Sequence, residues 1–338
     1  MKQRLLIVLF ALSLFFTSCG SDNDLVGNWI KSSSFEGRAR SGAVSFVIGD
    51  YAYVGTGYDG KDALKTFYKY SLQDGWSKVQ SDFPGAARRE AVAFEANGKV
   101  YVGLGVDDDD ERLGDFYEFD PSTDTWNSTA VDMTGGPSAR QGAIAFTING
   151  IGYVGTGYGF QEGEDRTNLK DFYKFDGSWT KIAYDGEKAK NSTAFVIDDK
   201  AYIVSGENSM KYVWEYDPAK VTNTFNGWTR KEDLDDDNRW EDVQRSQAVS
   251  FVINGKGYIA TGRNSGLSRE VWEYNPTRDE WDEKTALESP EVYSREDAVA
   301  FTLNNRGFIT TGTVVGTGTY YDDMWEFNPT MDEDDKDN

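Results

Sequence analysis

Histidine is absent from the 338 residues, and cysteine occurs once, at Cys19. The first absence excludes Ser-His-Asp and Cys-His triads, imidazole general acid-base catalysis and every histidine metal site. The second excludes an intrachain disulfide. Beyond the first twenty residues no stretch carries the 3.6-residue apolar period of an amphipathic helix, so a helix-built body is excluded as well. Positive charge is short: 35 basic side chains stand against 57 acidic ones, a formal charge of −22, and phosphate backbones would be repelled, so no nucleic-acid partner is expected. What is present is 38% hydrophobic and 14% aromatic residues, enough to bury a sizeable core in one soluble β-rich body.

That body is written in copies. The stretch from Arg88 to Trp126 holds a short apolar run at Ala91 to Phe94, an Asn97-Gly98 turn, and a second run at Val100 to Val102 that ends in Gly103-Leu104-Gly105. An acidic loop follows, then Phe116-Tyr117-Glu118-Phe119, stopped by Asp120-Pro121, and finally Trp126. Asn-Gly between two β-prone runs is a strong hairpin signal, because both turn residues must reach positive φ. Four antiparallel strands per unit are predicted.

The second glycine recurs as Gly57, Gly105, Gly157, Gly206, Gly262 and Gly312. A basic residue opens each unit at Arg40, Arg88, Arg140, Lys190, Arg245 and Arg295; five sit 17 residues before their glycine and Lys190 sits 16 before. Third-strand aromatics alternate with residues of the other face, as a period of two requires. Fourth-strand tryptophans are Trp76, Trp126, Trp179, Trp228 and Trp281, and the sixth is missing because the chain ends in MDEDDKDN. Leu25 to Lys31, with Trp29, can supply that strand from the other end, which would close the ring and leave no long edge.

The opening Arg, the Tyr-Val or Tyr-Ile pair before the glycine, the aromatic-x-aromatic-Asp-Pro and the Trp resemble the Kelch family, whose repeat is about 50 residues long. The resemblance implies an all-β, six-bladed Kelch β-propeller with four antiparallel strands per blade, the last blade closed by an N-terminal strand. The family's Gly-Gly doublet reads here as Thr56-Gly57, Leu104-Gly105, Thr156-Gly157, Ser205-Gly206, Thr261-Gly262 and Thr311-Gly312. Copper-dependent galactose oxidases share the fold, but their metal centre needs two histidines and a Cys-Tyr crosslink, which this chain cannot build; no cofactor and no metal are expected. N-acetylneuraminate epimerase, also a six-bladed member, implies the alternative of a sugar-acid epimerase or mutarotase, with Glu90, Glu207 or Glu296 moving protons.

Residues 1–18 read as a signal peptide, with Lys2 and Arg4 before the apolar run Leu5 to Phe16. Phe16-Thr17-Ser18-Cys19 resembles a bacterial lipobox, which implies lipidation at Cys19. Residues 19–26 are then a lipidated tether, 27–330 the propeller and 331–338 an acidic disordered tail. Ser21-Asp22-Asn23-Asp24 resembles the surface-export signal of Bacteroidetes-type lipoproteins, so an outer-membrane lipoprotein, periplasmic or surface-exposed, is expected. Its only membrane contact is the lipid, and the protein is expected as a monomer.

If strands alternate in direction, Arg40, Arg88, Arg140, Lys190, Arg245 and Arg295 encircle one mouth of the central channel. Two readings fit: struts that hold neighbouring loops through carbonyls, or a cationic ring that takes a carboxylate. Tyr58, Tyr158, Phe160, Trp240 and Tyr293 gather at the same end and suit stacking on sugars or anchoring a protein loop. Arg40, Arg88, Arg140, Lys190, Arg245, Arg295, Tyr58, Tyr158 and Trp240 are thus the candidate ligand-binding residues. The expected guest is a glycan, an acidic small molecule or a protein loop. Asp233, Asp235 and Asp237 have the spacing that opens an EF-hand, but Asn238 and Gln244 replace the glycine and the bidentate glutamate. That loop, like Asp107 to Asp110, reads as solvated.

Overall fold

The structure, a computed structural model, describes residues 25–161, 164–235, 240–287 and 294–332. The expected signal segment, Cys19, most of the tether, Asp237, Tyr293 and residues 333–338 lie outside the described residues.

In the second unit Val92–Ala96 pairs with Lys99–Gly103, and Ala96 faces Lys99 across the two-residue turn. Asn97 and Gly98 sit at φ +52° and +75°, the mirror-image turn whose twist matches the strands it joins. Phe116–Asp120 pairs with the second strand, and Thr125–Trp126 adds a short fourth. This order recurs: among the described residues there are six four-stranded antiparallel sheets, with three smaller sheets built mainly on the loops between second and third strands, the three-stranded one completed by Arg140–Gln141 ahead of its first strand.

The last of the six is completed from the start of the chain. Val26–Lys31 pairs antiparallel with Met324–Asp332, and Trp29 faces Phe327. That pairing matches Trp76 with Tyr70, Trp126 with Phe119, Trp179 with Phe175, Trp228 with Tyr216 and Trp281 with Tyr274. Trp29 therefore takes the tryptophan position of its sheet, 3% exposed, with its ring 4.7 Å from that of Phe327. The final strand runs to Asp332, so Met331 and Asp332 belong to it and not to a tail.

The apolar core lies between neighbouring sheets. Phe94, Tyr101 and Phe116 of the second unit pack on Val154, Tyr173, Phe175 and Trp179 of the third, and equivalent clusters fill the other seams. Burying one such ring contributes about 1.5 to 3 kcal/mol, so the seams hold the sheets together. The innermost strands face a channel of about 290 Å³ lined by small residues such as Ala91, Ala93, Ala143 and Ala145, three residues from each of six first strands.

Two rings of backbone hydrogen bonds run around this channel. In the first, each repeat glycine donates to the residue that opens the next unit: Gly57 to Arg88, Gly105 to Arg140, Gly157 to Ala189, Gly206 to Arg245, Gly262 to Arg295 and Gly312 to Arg40, all 2.7 to 2.9 Å. The last bond joins the end of the chain to its beginning. Glycine is required there: Gly105 has φ +94°, and a Cβ on it would stand 2.5 Å from the Arg89 carbonyl oxygen.

Candidate functional site at the channel mouth

Two adjacent positions at the start of each first strand have different partners. At the first, Arg40, Arg88, Arg140, Arg245 and Arg295 are 0 to 1% exposed. Each donates from Nη1 to the carbonyl 16 residues on, at Thr56, Leu104, Thr156, Thr261 and Thr311 (2.8 to 3.2 Å). Arg88, Arg140 and Arg295 also make two-pronged ion pairs with Asp115, Asp171 and Asp323, the geometry that suits a guanidinium fork. Arg40 has no carboxylate at this place and uses the carbonyl and hydroxyl of Thr66. Burial pushes Arg40 and Arg245 down to about 10, still protonated at neutral pH. The five arginines are struts inside the seams, and they do not form a cationic ring open to a guest.

Lys190 is a correction of register. The bond from Gly157 reaches Ala189, and Ala189 sits 17 residues before Gly206, so Ala189 takes the strut position of the fourth unit. Lys190 bridges Glu207 as Ser41 bridges Tyr58, Arg89 bridges Val106 and Ser246 bridges Arg263. It belongs to the second position, which reads Ser41, Arg89, Gln141, Lys190, Ser246 and Glu296 around the molecule.

The residue after it, Gly42, Glu90, Gly142, Asn191, Gln247 or Asp297, has φ between +52° and +59° in every unit. These six form the second ring of backbone bonds. Gly42 donates to Asp297 (2.9 Å), Glu90 to Gly42 (2.8 Å), Gly142 to Glu90 (3.4 Å), Asn191 to Gly142 (2.8 Å), Gln247 to Asn191 (3.0 Å) and Asp297 to Gln247 (3.4 Å). The ring fixes the mouth of the channel and delivers to it the side chains of Glu90, Asn191, Gln247 and Asp297.

Around that ring the side chains of neighbouring units meet. Gln141 Nε2 donates to Glu90 (2.9 Å) and Gln247 Nε2 to Asp297 (2.9 Å). Lys190 lies 3.1 Å from Glu207, and Arg263 3.4 Å from Glu296. Tyr58, half-buried, lies under Arg89 (5.2 Å) and against Tyr320; Tyr158, also half-buried, lies under Arg112 and Lys190 (5.3 Å each). The mouth thus has acidic and amide groups at its centre and tyrosines capped by cations at its rim. Burial, then the charge of Glu90, pushes the Asp297 carboxyl up to about 7; burial also raises Glu296.

Of the expected site residues, Tyr58, Tyr158 and Lys190 do come to the mouth. Trp240 does not: it is 5% exposed, packs with Leu234, Val243 and Trp281, and donates from Nε1 to the Trp281 carbonyl (3.1 Å). Of the expected proton carriers, Glu90 and Glu207 reach the mouth, while Glu296 is buried beside it, 0% exposed. Asp297, Gln247 and Asn191 escaped notice, although counting two places on from each strut finds them. Asp233 is held by Arg230 and Asp235 by Lys211 (3.0 Å), which uses those carboxylates as ordinary surface pairs.

Sheets of four antiparallel strands set radially around one channel, five of the six units braced by a buried arginine, define a β-propeller. The chain belongs to the Kelch-repeat family: residues 42–233 match the KLHDC2/KLHL20/DRC7 Kelch-repeats domain. Among solved structures, that of YjhT superposes with a TM-score of 0.69 at 18% identity, over 86% of this chain and 95% of that one. This likeness is one of fold. No curated protein sequence matches.

Proposed function

We propose that this protein is a cell-envelope lipoprotein whose six-bladed propeller is a non-catalytic scaffold, and that the channel mouth binds a glycan. One observation carries the reading: Glu90, Gln247 and Asp297 hold positive φ where Gly42 and Gly142 hold it in other units. A side-chain residue other than Asn or Asp at such an angle has a steric cost, and Glu90 and Gln247 incur it in order to place polar groups on the mouth. Carboxylates and amides accept and donate to paired sugar hydroxyls, and Tyr58, Tyr158 and Tyr320 offer ring faces at the rim. With the five arginines in the seams, an acidic guest loses its support, and a neutral or cationic one suits the acidic centre. Titration calorimetry with neutral and amino oligosaccharides tests this; a Gln247→Ala, Asp297→Asn double variant should bind about tenfold or more weakly, as loss of two hydrogen bonds implies. No binding by any oligosaccharide would refute the reading.

A second reading, proton transfer at a sugar ring, has one observation behind it: Asp297 is pushed up to about 7, so at neutral pH it can both give and take a proton. Proton NMR of anomer exchange checks it. The envelope assignment rests on the apolar run and Cys19; Cys19→Ser should move the protein from the membrane fraction to the soluble fraction, and a variant that still pellets would exclude a lipid anchor.

A further inference from the structure

The loop between second and third strands is shortest in the fourth unit. It runs from Ser205 to Tyr212, eight residues, against ten to sixteen in the other five units, and the loops of units three, five and six form two-stranded hairpins. The short loop is closed on itself. Ser205 donates from its backbone N–H to Tyr212 (3.0 Å) and from Oγ to the Met210 carbonyl (2.7 Å), and Tyr212 donates to Ser209 (3.1 Å). A turn whose backbone groups are satisfied within itself gains nothing by reaching over the mouth, so the rim is shortest at unit four. At that gap, between the loops of units four and five, lies a cavity of about 380 Å³, within the size range of small-ligand sites. Gln247 connects it to the mouth: its backbone belongs to the second ring of hydrogen bonds, its Nε2 donates to Asp297 (2.9 Å), and it also lines the cavity. A guest seated on the mouth can therefore extend sideways.

The lining selects what can enter. Its one acid, Glu207, is held by Lys190 (3.1 Å) and by Asn191 Nδ2 (3.2 Å), and the charge of Arg263 is balanced by Glu296 at 3.4 Å. No charge of either sign is left over for an ionic guest. What remains is neutral hydrogen-bonding capacity. Asn208 and Asn264 line the cavity and are exposed, each with an amide that both donates and accepts, and Arg263, 45% exposed, has more N–H donors than its one contact with Glu296 uses. Groups of this kind pair with the hydroxyls of a neutral sugar.

Resting on the glycan reading above, we propose that this cavity is a second sugar subsite, so that the protein binds a neutral oligosaccharide along its chain and not a single sugar. One sugar sits on Gln247 and Asp297 at the mouth, its neighbour sits among Asn208, Arg263 and Asn264, and the rest of the chain leaves over the short loop of unit four.

The test is calorimetric titration of the protein with glucose, cellobiose, cellotriose, maltose and maltotriose. One of the two disaccharides should bind about tenfold or more tightly than glucose, as one or two further hydrogen bonds imply, and its trimer should bind no more weakly, because the third unit has an exit. Asn264→Trp sets a large ring at the cavity from an exposed position; it should bring that disaccharide down to the affinity of glucose with the melting temperature unchanged. If Asn264→Trp fails to fold, Asn264→Tyr serves in its place. Equal binding of glucose and both disaccharides, or a disaccharide preference that survives Asn264→Trp, would overturn the subsite while leaving the glycan reading intact. A trimer bound more weakly than its disaccharide would overturn the open side. Binding of none of the five would overturn the subsite, and the glycan reading with it if the amino oligosaccharides fail as well.

Discussion

Arg88 and Arg89 are neighbours in the chain and have opposite fates. Arg88 is sealed in a seam, its guanidinium held by two carbonyls and Asp115; Arg89 stands at the mouth over Tyr58, a quarter exposed. The contrast recurs at Gln141 and Lys190, which are half-buried, whereas Ser41, Ser246 and Glu296 are buried like the first position. The first is arginine in five units of six, while the second is different in almost every one. Constancy across copies follows from a shared mechanical task, since each seam presents the same carbonyl 16 residues on. Variety marks the positions that the ring does not constrain and that a guest can use. In this protein, what repeats holds the fold together, and what fails to repeat is spared that task.

The sharpest way to break that comparison is to empty a strut. Arg140→Ala would leave Asp171, whose carboxyl the guanidinium holds below the usual range despite burial, half-buried without its partner, along with the Thr156 carbonyl. A loss of about 3 to 5 kcal/mol in denaturant unfolding is expected; a loss under 1 kcal/mol would place the arginines among the functional groups after all.

A smaller effect of opposite sign is expected at the mouth. Folded, Asp297 keeps its proton up to about pH 7, whereas an unfolded aspartate loses it near pH 4. The folded state binds the extra proton across that window, so this residue's contribution to stability falls as pH rises from about 4 to 7 and is level above. Asp297→Asn keeps an acceptor for Gln247 and should raise the melting temperature at pH 8 by about 2 to 4 °C, with no gain at pH 4. A gain independent of pH would show that charge is not the cause.

The smallest change is expected at Glu90→Gly, which copies Gly42 and Gly142. Relief of the positive φ and loss of the bond from Gln141 oppose each other, and stability should stay within about 1 kcal/mol. A larger loss, read from denaturant midpoints, would mean that the mouth ring depends on its side chains as the seams do.

Most of the architecture was legible because it is written several times. The Asn-Gly turns, the glycine spacing and the tryptophan absent at the end but present at Trp29 all correspond to strands and pairings in the structure. The site was less legible, for a physical reason. Spacing says that Arg140 begins an inner strand, but not whether its side chain turns to the channel or back into the seam; that depends on an aspartate 31 residues away. Lys190 shows the same limit at one-residue scale. Charge type suggested it as the fourth strut, while backbone register gives that place to Ala189, and a shift of one residue on a strand exchanges inside for outside. Trp240 stands in a loop whose sequence does not show which way it folds, and the loop turns it against Trp281.

The closing strand also has a direction. Lys31 pairs with Trp325, near the start of the last third strand, and Val26 with Asp332 at its end. First strands leave the mouth, second strands return to it, and third strands leave again, so Lys31 lies on the mouth side and Val26 on the far side. If the proposed lipid anchor holds the chain, it would grip the propeller from behind, and the molecule would present its opening away from the surface that carries it.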